Sequence, residues 1–116
     1  EKIISLSVSS DKNNILLSNK FEIDILMRFA ISSQISSAIN SAGIKPKQNF
    51  VLIAFGNKKI LDALYKELNF MSVKIFSKDN TSFIKKYFKI TDTRLTTVLS
   101  KNPLEDILIE KAAILL

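Results

Sequence analysis

Two kinds of hydrophobic pattern occur along the chain, and the first is typical of β-strands. The opening segment Ile3–Val8 is rich in β-branched residues and partly alternating, and the turn-forming residues 11–14 follow it. We therefore expect a strand, a turn and a short partner strand at 15–17. The run Phe50–Phe55 is apolar throughout and predicts a central strand buried on both faces, and residues 73–76 predict a further strand.

The second pattern is the helical spacing of apolar residues. Between Phe21 and Gly43 this spacing predicts two helices that meet at residues 32–34, with Gly43 in the left-handed conformation that ends the second one. Further helices are expected after a capping Asn57 and near residues 81–88.

The last part of the chain contains residues that typically occur at the start of a helix. A polar turn is expected at 91–93, and a last helix is expected to open at Asn102, with Pro103 in its first turn and Glu105 three residues after the cap. Together, the predicted strands and helices indicate an α+β fold. We expect one domain over residues 1–116, in which several helices pack on a small mixed β-sheet.

Composition excludes several classes of function. The 116 residues contain no Cys and no His, which excludes thiol catalysis, disulfides, thiolate or imidazole zinc sites and histidine-based triads. The two glycines lie too far apart for a phosphate-binding loop, and the carboxylates are scattered. We therefore expect no enzyme activity, no cofactor and no metal. No apolar run is long enough to span a bilayer, so we expect a cytoplasmic protein without a membrane partner.

Positive charge is concentrated in the middle of the chain. The formal net charge is +6, and the segment from Lys45 to Lys101 holds twelve basic residues against four acidic ones. Such a segment can neutralise phosphates of a nucleic acid, but the same lysines can also serve solubility alone.

Two other segments are unusual for their lack of charge. Residues 34–42 form a predicted helix with no charged residue, and residues 112–116 are apolar, so each packs inside the domain or contacts a partner.

Four segments carry a resemblance to a known family. Asp24–Ala30, followed by Ser33–Ile44, resembles the acidic-Leu-Leu-Arg and Gln-Ile-x-x-Ala-Ile-x-x-x-Gly-Ile signature of the Cgi-type small subunit of the KEOPS complex. Residues 84–87 and 104–113 are similar to the last two helices of that family. The chain departs from the pattern at Asp24, where the family usually has Glu, and at Ser33, which replaces a basic residue.

The resemblance implies a non-catalytic subunit of the machinery that makes threonylcarbamoyladenosine on tRNA. Members of the family bind the amino-terminal lobe of the small kinase-like ATPase of KEOPS, and through it the rest of the complex. They also recruit tRNA by its single-stranded CCA end. No cofactor is implied. The alternative from another class is a structural or homo-oligomerisation module, whose apolar faces form a homodimer and which binds no nucleic acid.

Two surfaces follow from this hypothesis. A helix start presents free N–H groups to phosphate and nearby cations add attraction, so we expect the tRNA terminus to bind at Arg28, Ser33, Gln34, Lys45 and Lys47. Apolar anchors at the centre of a patch supply most of the binding energy of an interface. We therefore expect the protein partner to contact Ile39 and Ala42, together with the exposed members of Leu104, Ile107, Leu108 and Leu115.

Overall fold

The computed structural model describes residues 1–69, 73 and 78–115. These residues form seven α-helices and no β-strand. The helices are α1 (Lys2–Lys12), α2 (Phe21–Ala30), α3 (Ile35–Ala42), α4 (Lys58–Glu67), α5 (Thr81–Tyr87), α6 (Asp92–Thr96) and α7 (Pro103–Ala113). The chain divides into two compact units: a first unit of residues 1–43 and 80–116, and a second unit of residues 44–79.

The predicted α+β fold is wrong, because the described residues contain no sheet. The segment expected as the first strand lies inside α1, and residues 15–17 form no partner strand. The buried positions of α1 are Ser7 and Ser10, three residues apart on one face of the helix. Because serines occupy the buried positions, apolar residues do not recur at helical spacing in this segment. The β-branched residues beside these serines therefore indicated a strand where the structure has a helix.

The apolar run Phe50–Phe55 forms no strand and is not buried. Its side chains at Val51, Leu52 and Ile53 are 51–55% exposed, which contradicts the predicted burial on both faces. The run belongs to the second unit, whose described residues contain the helix α4. The strand predicted at residues 73–76 lies outside the described residues, apart from Val73, which is in no regular element.

Most of the predicted helices are confirmed. Helices α2 and α3 meet at residues 31–34, α5 covers the expected segment, and α7 opens at Pro103. Helix α4 begins after Asn57, whose side-chain Oδ1 accepts a hydrogen bond from the backbone N of Ile60 at 2.9 Å. Two details are wrong. The side chain of Asn102 makes no capping hydrogen bond, and the expected turn at 91–93 is the start of α6, capped by Thr91.

Gly43 ends α3 for a reason other than the predicted one. Its φ is −72°, so the expected left-handed conformation is wrong. A Cβ at this position would lie only 2.4 Å from the carbonyl oxygen of Ile39. Glycine is therefore needed here for a close backbone approach rather than for a positive φ.

The core of the first unit is built around α2, which packs against α1, α3 and α7. Helix α7 also contacts α1 and α6. The fully or nearly buried apolar residues of the described chain all belong to this unit; they are Met27, Ala38, Ile90, Ile107 and Ala112.

Candidate functional site

A buried ion pair connects α2 to its neighbours. Arg28 Nε donates to Asp24 Oδ2 at 2.9 Å, and the two side chains are 3% and 0% exposed. Arg28 Nη1 donates to the carbonyl of Ala112 in α7 and Nη2 donates to Ser10 Oγ in α1, both at 2.9 Å. Asp24 Oδ1 accepts from the backbone N of Leu17 at 2.8 Å. One salt bridge therefore connects three helices and the loop between α1 and α2.

The environment keeps this carboxylate charged. Burial raises the pKa of Asp24, but the nearby Ser7 hydroxyl, the Arg28 side chain and the Leu17 N–H together lower it by more, so the net pKa lies below the usual value. Asp24 is therefore ionised at neutral pH and balances the buried guanidinium.

Arg28 is not part of an exposed basic surface, contrary to the sequence-based expectation. Its guanidinium is held by Asp24, Ser10 and Ala112, and almost none of its surface reaches solvent. The acidic residue and the arginine four positions later are neighbours on one helix face, so this motif has a structural role here.

An open pocket of about 400 Å³ lies in the first unit, where parts of α3, α5 and α7 and the end of α2 meet. Its lining combines serine hydroxyls, lysine side chains and aromatic rings. The lining residues are Ala30, Ile31, Ser32, Ser37, Ser41, Tyr87, Phe88, Lys89 and Lys111. The pocket is large enough for a small ligand, since such sites are typically about 300–1,000 Å³.

Two helix ends at this pocket adopt an unusual backbone conformation. Ile31 follows α2 with φ 49°, and Lys89 follows α5 with φ 54°. In each case the N–H of the next residue bonds back five positions, Ser32 N to Met27 O at 3.0 Å and Ile90 N to Lys85 O at 2.8 Å. These are Schellman-type helix ends without the glycine that usually occupies the left-handed position. A β-branched residue such as Ile31 is strained in this region, and strain of this kind is concentrated at ligand sites.

The pocket offers positive charge and hydrogen-bond acceptors. In the described part of the chain, no carboxylate lies within ion-pair distance of Lys89 or Lys111. Ser41 Oγ donates to the carbonyl of Ser37 at 2.8 Å, and Ser32 Oγ donates to the carbonyl of Gln34 at 3.2 Å. Because its hydroxyl proton is used internally, the Ser41 oxygen keeps lone pairs that can accept hydrogen bonds from a ligand. The Ser32 oxygen already accepts one hydrogen bond, from the backbone N of Gln34 at 3.3 Å.

The other residues predicted to bind tRNA are exposed but belong to different units. Ser33 and Gln34 lie at the start of α3 in the first unit, where Gln34 Oε1 accepts from Ser37 Oγ at 3.4 Å. Lys45 and Lys47 lie in the second unit. Lys89 and Lys111 were not among the residues predicted to form a site. The signal present in the sequence was the group of three lysines and two aromatic residues at 85–89, a combination that is common in single-strand binding surfaces.

The residues predicted to contact a protein fall into three groups. Ile39 and Ala42 are exposed on α3, whereas Leu104, Leu108 and Leu115 are half-buried. Ile107 is only 1% exposed and belongs to the core, so its expected place in an interface is wrong. Helix α3 is exposed at every position except Ala38, so this uncharged helix is not packed inside its unit.

The described residues were searched for metal-binding clusters and for long apolar helices. No group of three or more acidic side chains in them is placed to hold a metal ion. Among the described helices, none combines the length and the apolar character needed to cross a membrane. Comparisons of the chain with protein-family models, with curated proteins and with solved structures gave no match.

Proposed function

We propose that this protein is a non-catalytic adaptor subunit of a KEOPS complex, which binds the kinase-like ATPase and recruits tRNA through its 3′ CCA end in the cytoplasm. The observation that carries the proposal is the serine- and lysine-lined pocket. All four segments that resemble the KEOPS subunit contribute to its lining. They supply, in chain order, Ala30, then Ser37 and Ser41, then Tyr87, then Lys111.

The lining chemistry matches a terminal nucleotide. Lys89 and Lys111 supply charge for a phosphate, and the serine oxygens accept hydrogen bonds from ribose hydroxyls. The aromatic ring of Phe88 provides a surface for the base. The pocket therefore has a binding group for each part of a nucleotide: the lysines for its phosphate, the serines for its hydroxyl groups and an aromatic ring for its planar base.

A charge reversal at the pocket is expected to weaken tRNA binding strongly. For the double variant Lys89→Glu Lys111→Glu we expect at least a tenfold loss of affinity at low salt. We also expect the slope of log affinity against log salt concentration to become shallower, by the amount that about two phosphate contacts contribute. The measurement is a salt titration of tRNA binding by fluorescence anisotropy, with intact tRNA and with tRNA that lacks the CCA end.

The matched control is Lys12→Glu Lys20→Glu, which makes the same charge change at exposed positions of the first unit. The control should retain most of the affinity for intact tRNA. The proposal is contradicted if both double variants lose affinity equally, or if the wild-type protein binds tRNA equally well without CCA.

The protein-binding half of the proposal is supported by the other face of α3. Ile35, Ile39 and Ala42 share one face of this helix, while the pocket residues Ser37 and Ser41 lie on roughly the opposite one. Ile35 and Ile39 are 44% and 48% exposed, and no residue of the helix is charged. An uncharged exposed face with apolar anchors is typical of a protein interface.

We expect Ile39→Asp to abolish co-purification with the KEOPS kinase-like ATPase, because it places a charge at the centre of this apolar face. Affinity for tRNA should stay within about threefold of the wild-type value, since the pocket residues are untouched. Sedimentation of the isolated protein is the companion measurement. A wild-type homodimer that Ile39→Asp converts to monomer, with no ATPase binding, would instead support the homo-oligomerisation module.

A further inference from the structure

Helix α5 presents a row of aromatic side chains to solvent. The rings of Phe83 and Tyr87 are stacked, with centroids 5.8 Å apart and planes at 26°, and Tyr87 contacts Phe88 edge to face at 4.9 Å. Phe83 is 67% exposed and Tyr87 is 52% exposed. Aromatic rings that stack on each other at the surface form an apolar patch whose exposure to water is costly unless a ligand covers it.

The row leads directly into the pocket. Tyr87 and Phe88 belong both to the row and to the pocket lining, so the two surfaces are continuous within the first unit. Residues 83–89 contain three lysines and no acidic residue. Lys85 is paired with Asp92, whereas Lys86 is exposed and Lys89 lines the pocket.

We propose that Phe83 and Tyr87 form a stacking platform for the unpaired bases that precede the terminal nucleotide, so that a single-stranded RNA end runs along α5 into the pocket. The inference rests on the proposed function, which supplies the ligand of the pocket. Exposed rings interleaved with lysines are suited to a single strand, because every base has a face that can stack and every nucleotide carries a phosphate. The contact is therefore tolerant of base identity, and the pocket selects the free 3′ end.

The test uses the full chain and short single-stranded RNAs that end in CCA. Phe83→Leu keeps an apolar side chain at this exposed position but removes the ring, and we expect it to lower RNA affinity roughly tenfold. Phe83→Tyr keeps the ring and should bind like the wild-type protein. A second variant, Tyr87→Leu, should lose at least as much affinity, because it removes the other half of the stack together with part of the pocket lining.

A paired change in the RNA shows whether the loss comes from stacking. The second RNA has abasic sites at the two positions before the terminal nucleotide. The wild-type protein should bind this abasic RNA about tenfold more weakly than the intact RNA. The Phe83→Leu variant should bind the abasic RNA and the intact RNA with equal affinity, because it has already lost the stacking contact. Equal losses for the two proteins would overturn the platform and leave the pocket proposal standing. Unchanged RNA affinity in Phe83→Leu together with loss of ATPase binding would also overturn it, since the row would then be a protein contact. Failure of the proposed function is distinguishable, because the wild-type protein would then bind RNA with no preference for a CCA end.

Discussion

Replacement of Arg28 with Ala is expected to lower the free energy of unfolding by about 3–5 kcal/mol, because it leaves the buried carboxylate of Asp24 without its cation. The same change removes the donors to Ser10 and to the carbonyl of Ala112, so α1 and α7 each lose a buried hydrogen bond to α2. The measurement is urea denaturation followed by circular dichroism, which gives the free energy of unfolding by linear extrapolation.

Two further variants make the result specific to the buried pair. Arg94 pairs with Glu110 at 3.5 Å near the surface, so Arg94→Ala should cost less than about 1 kcal/mol. The double variant Asp24→Ala Arg28→Ala should be less destabilised than the sum of the two single variants, because neither charge is then left alone. Equal effects of Arg28→Ala and Arg94→Ala would show that the buried network does not hold the first unit together.

The second large effect is expected at Ile107. Ile107→Asp removes a fully buried apolar side chain, which costs about 2–5 kcal/mol as a truncation, and places a carboxylate among core residues. The total is comparable to the whole stability of a small domain, so we expect the first unit to be unfolded at 25 °C. Circular dichroism and the dispersion of the amide NMR spectrum measure this directly.

The matched control is Ile114→Asp, the same substitution at a position that is 67% exposed at the end of α7. This variant should lower the free energy of unfolding by no more than about 1 kcal/mol, mainly because it places a negative charge at the carboxyl end of a helix. Ile107→Val should remain folded, with a loss of about 0.5–1.5 kcal/mol. A folded Ile107→Asp protein would contradict the placement of this residue in the core. Because the fold is lost, absence of partner binding by this variant says nothing about an interface.

The helices were predictable where one face is made of large apolar residues. In α2 and α7 such residues recur at helical spacing, and this period is visible without any knowledge of the fold. Helix α1 was missed because its buried positions, Ser7 and Ser10, are polar, and the hydrogen bond of Ser10 is made by a residue of another helix. When a serine is buried because it binds a residue far away in the sequence, the neighbouring residues do not predict its burial.

The candidate site was harder to predict than the helices. The pair Asp24 and Arg28 has the spacing of an ordinary surface ion pair, and only tertiary packing shows that it is buried. The pocket draws Ser37, Tyr87 and Lys111 from three helices, and no sequence pattern states that these residues meet. The left-handed backbone at Ile31 and Lys89 was also invisible, since neither position carries the expected glycine.

The hydrogen bond from Arg28 to Ala112 has a consequence for synthesis on the ribosome. Its two ends are 84 positions apart in the chain, so Asp24 and Arg28 leave the exit tunnel long before the carbonyl that completes their network. Contacts of such large sequence separation form late and slowly. In nascent α1 and α2, Arg28 already has Asp24 and Ser10 as partners, but its Nη1 must donate to water until residues 44–79 and then α7 have emerged.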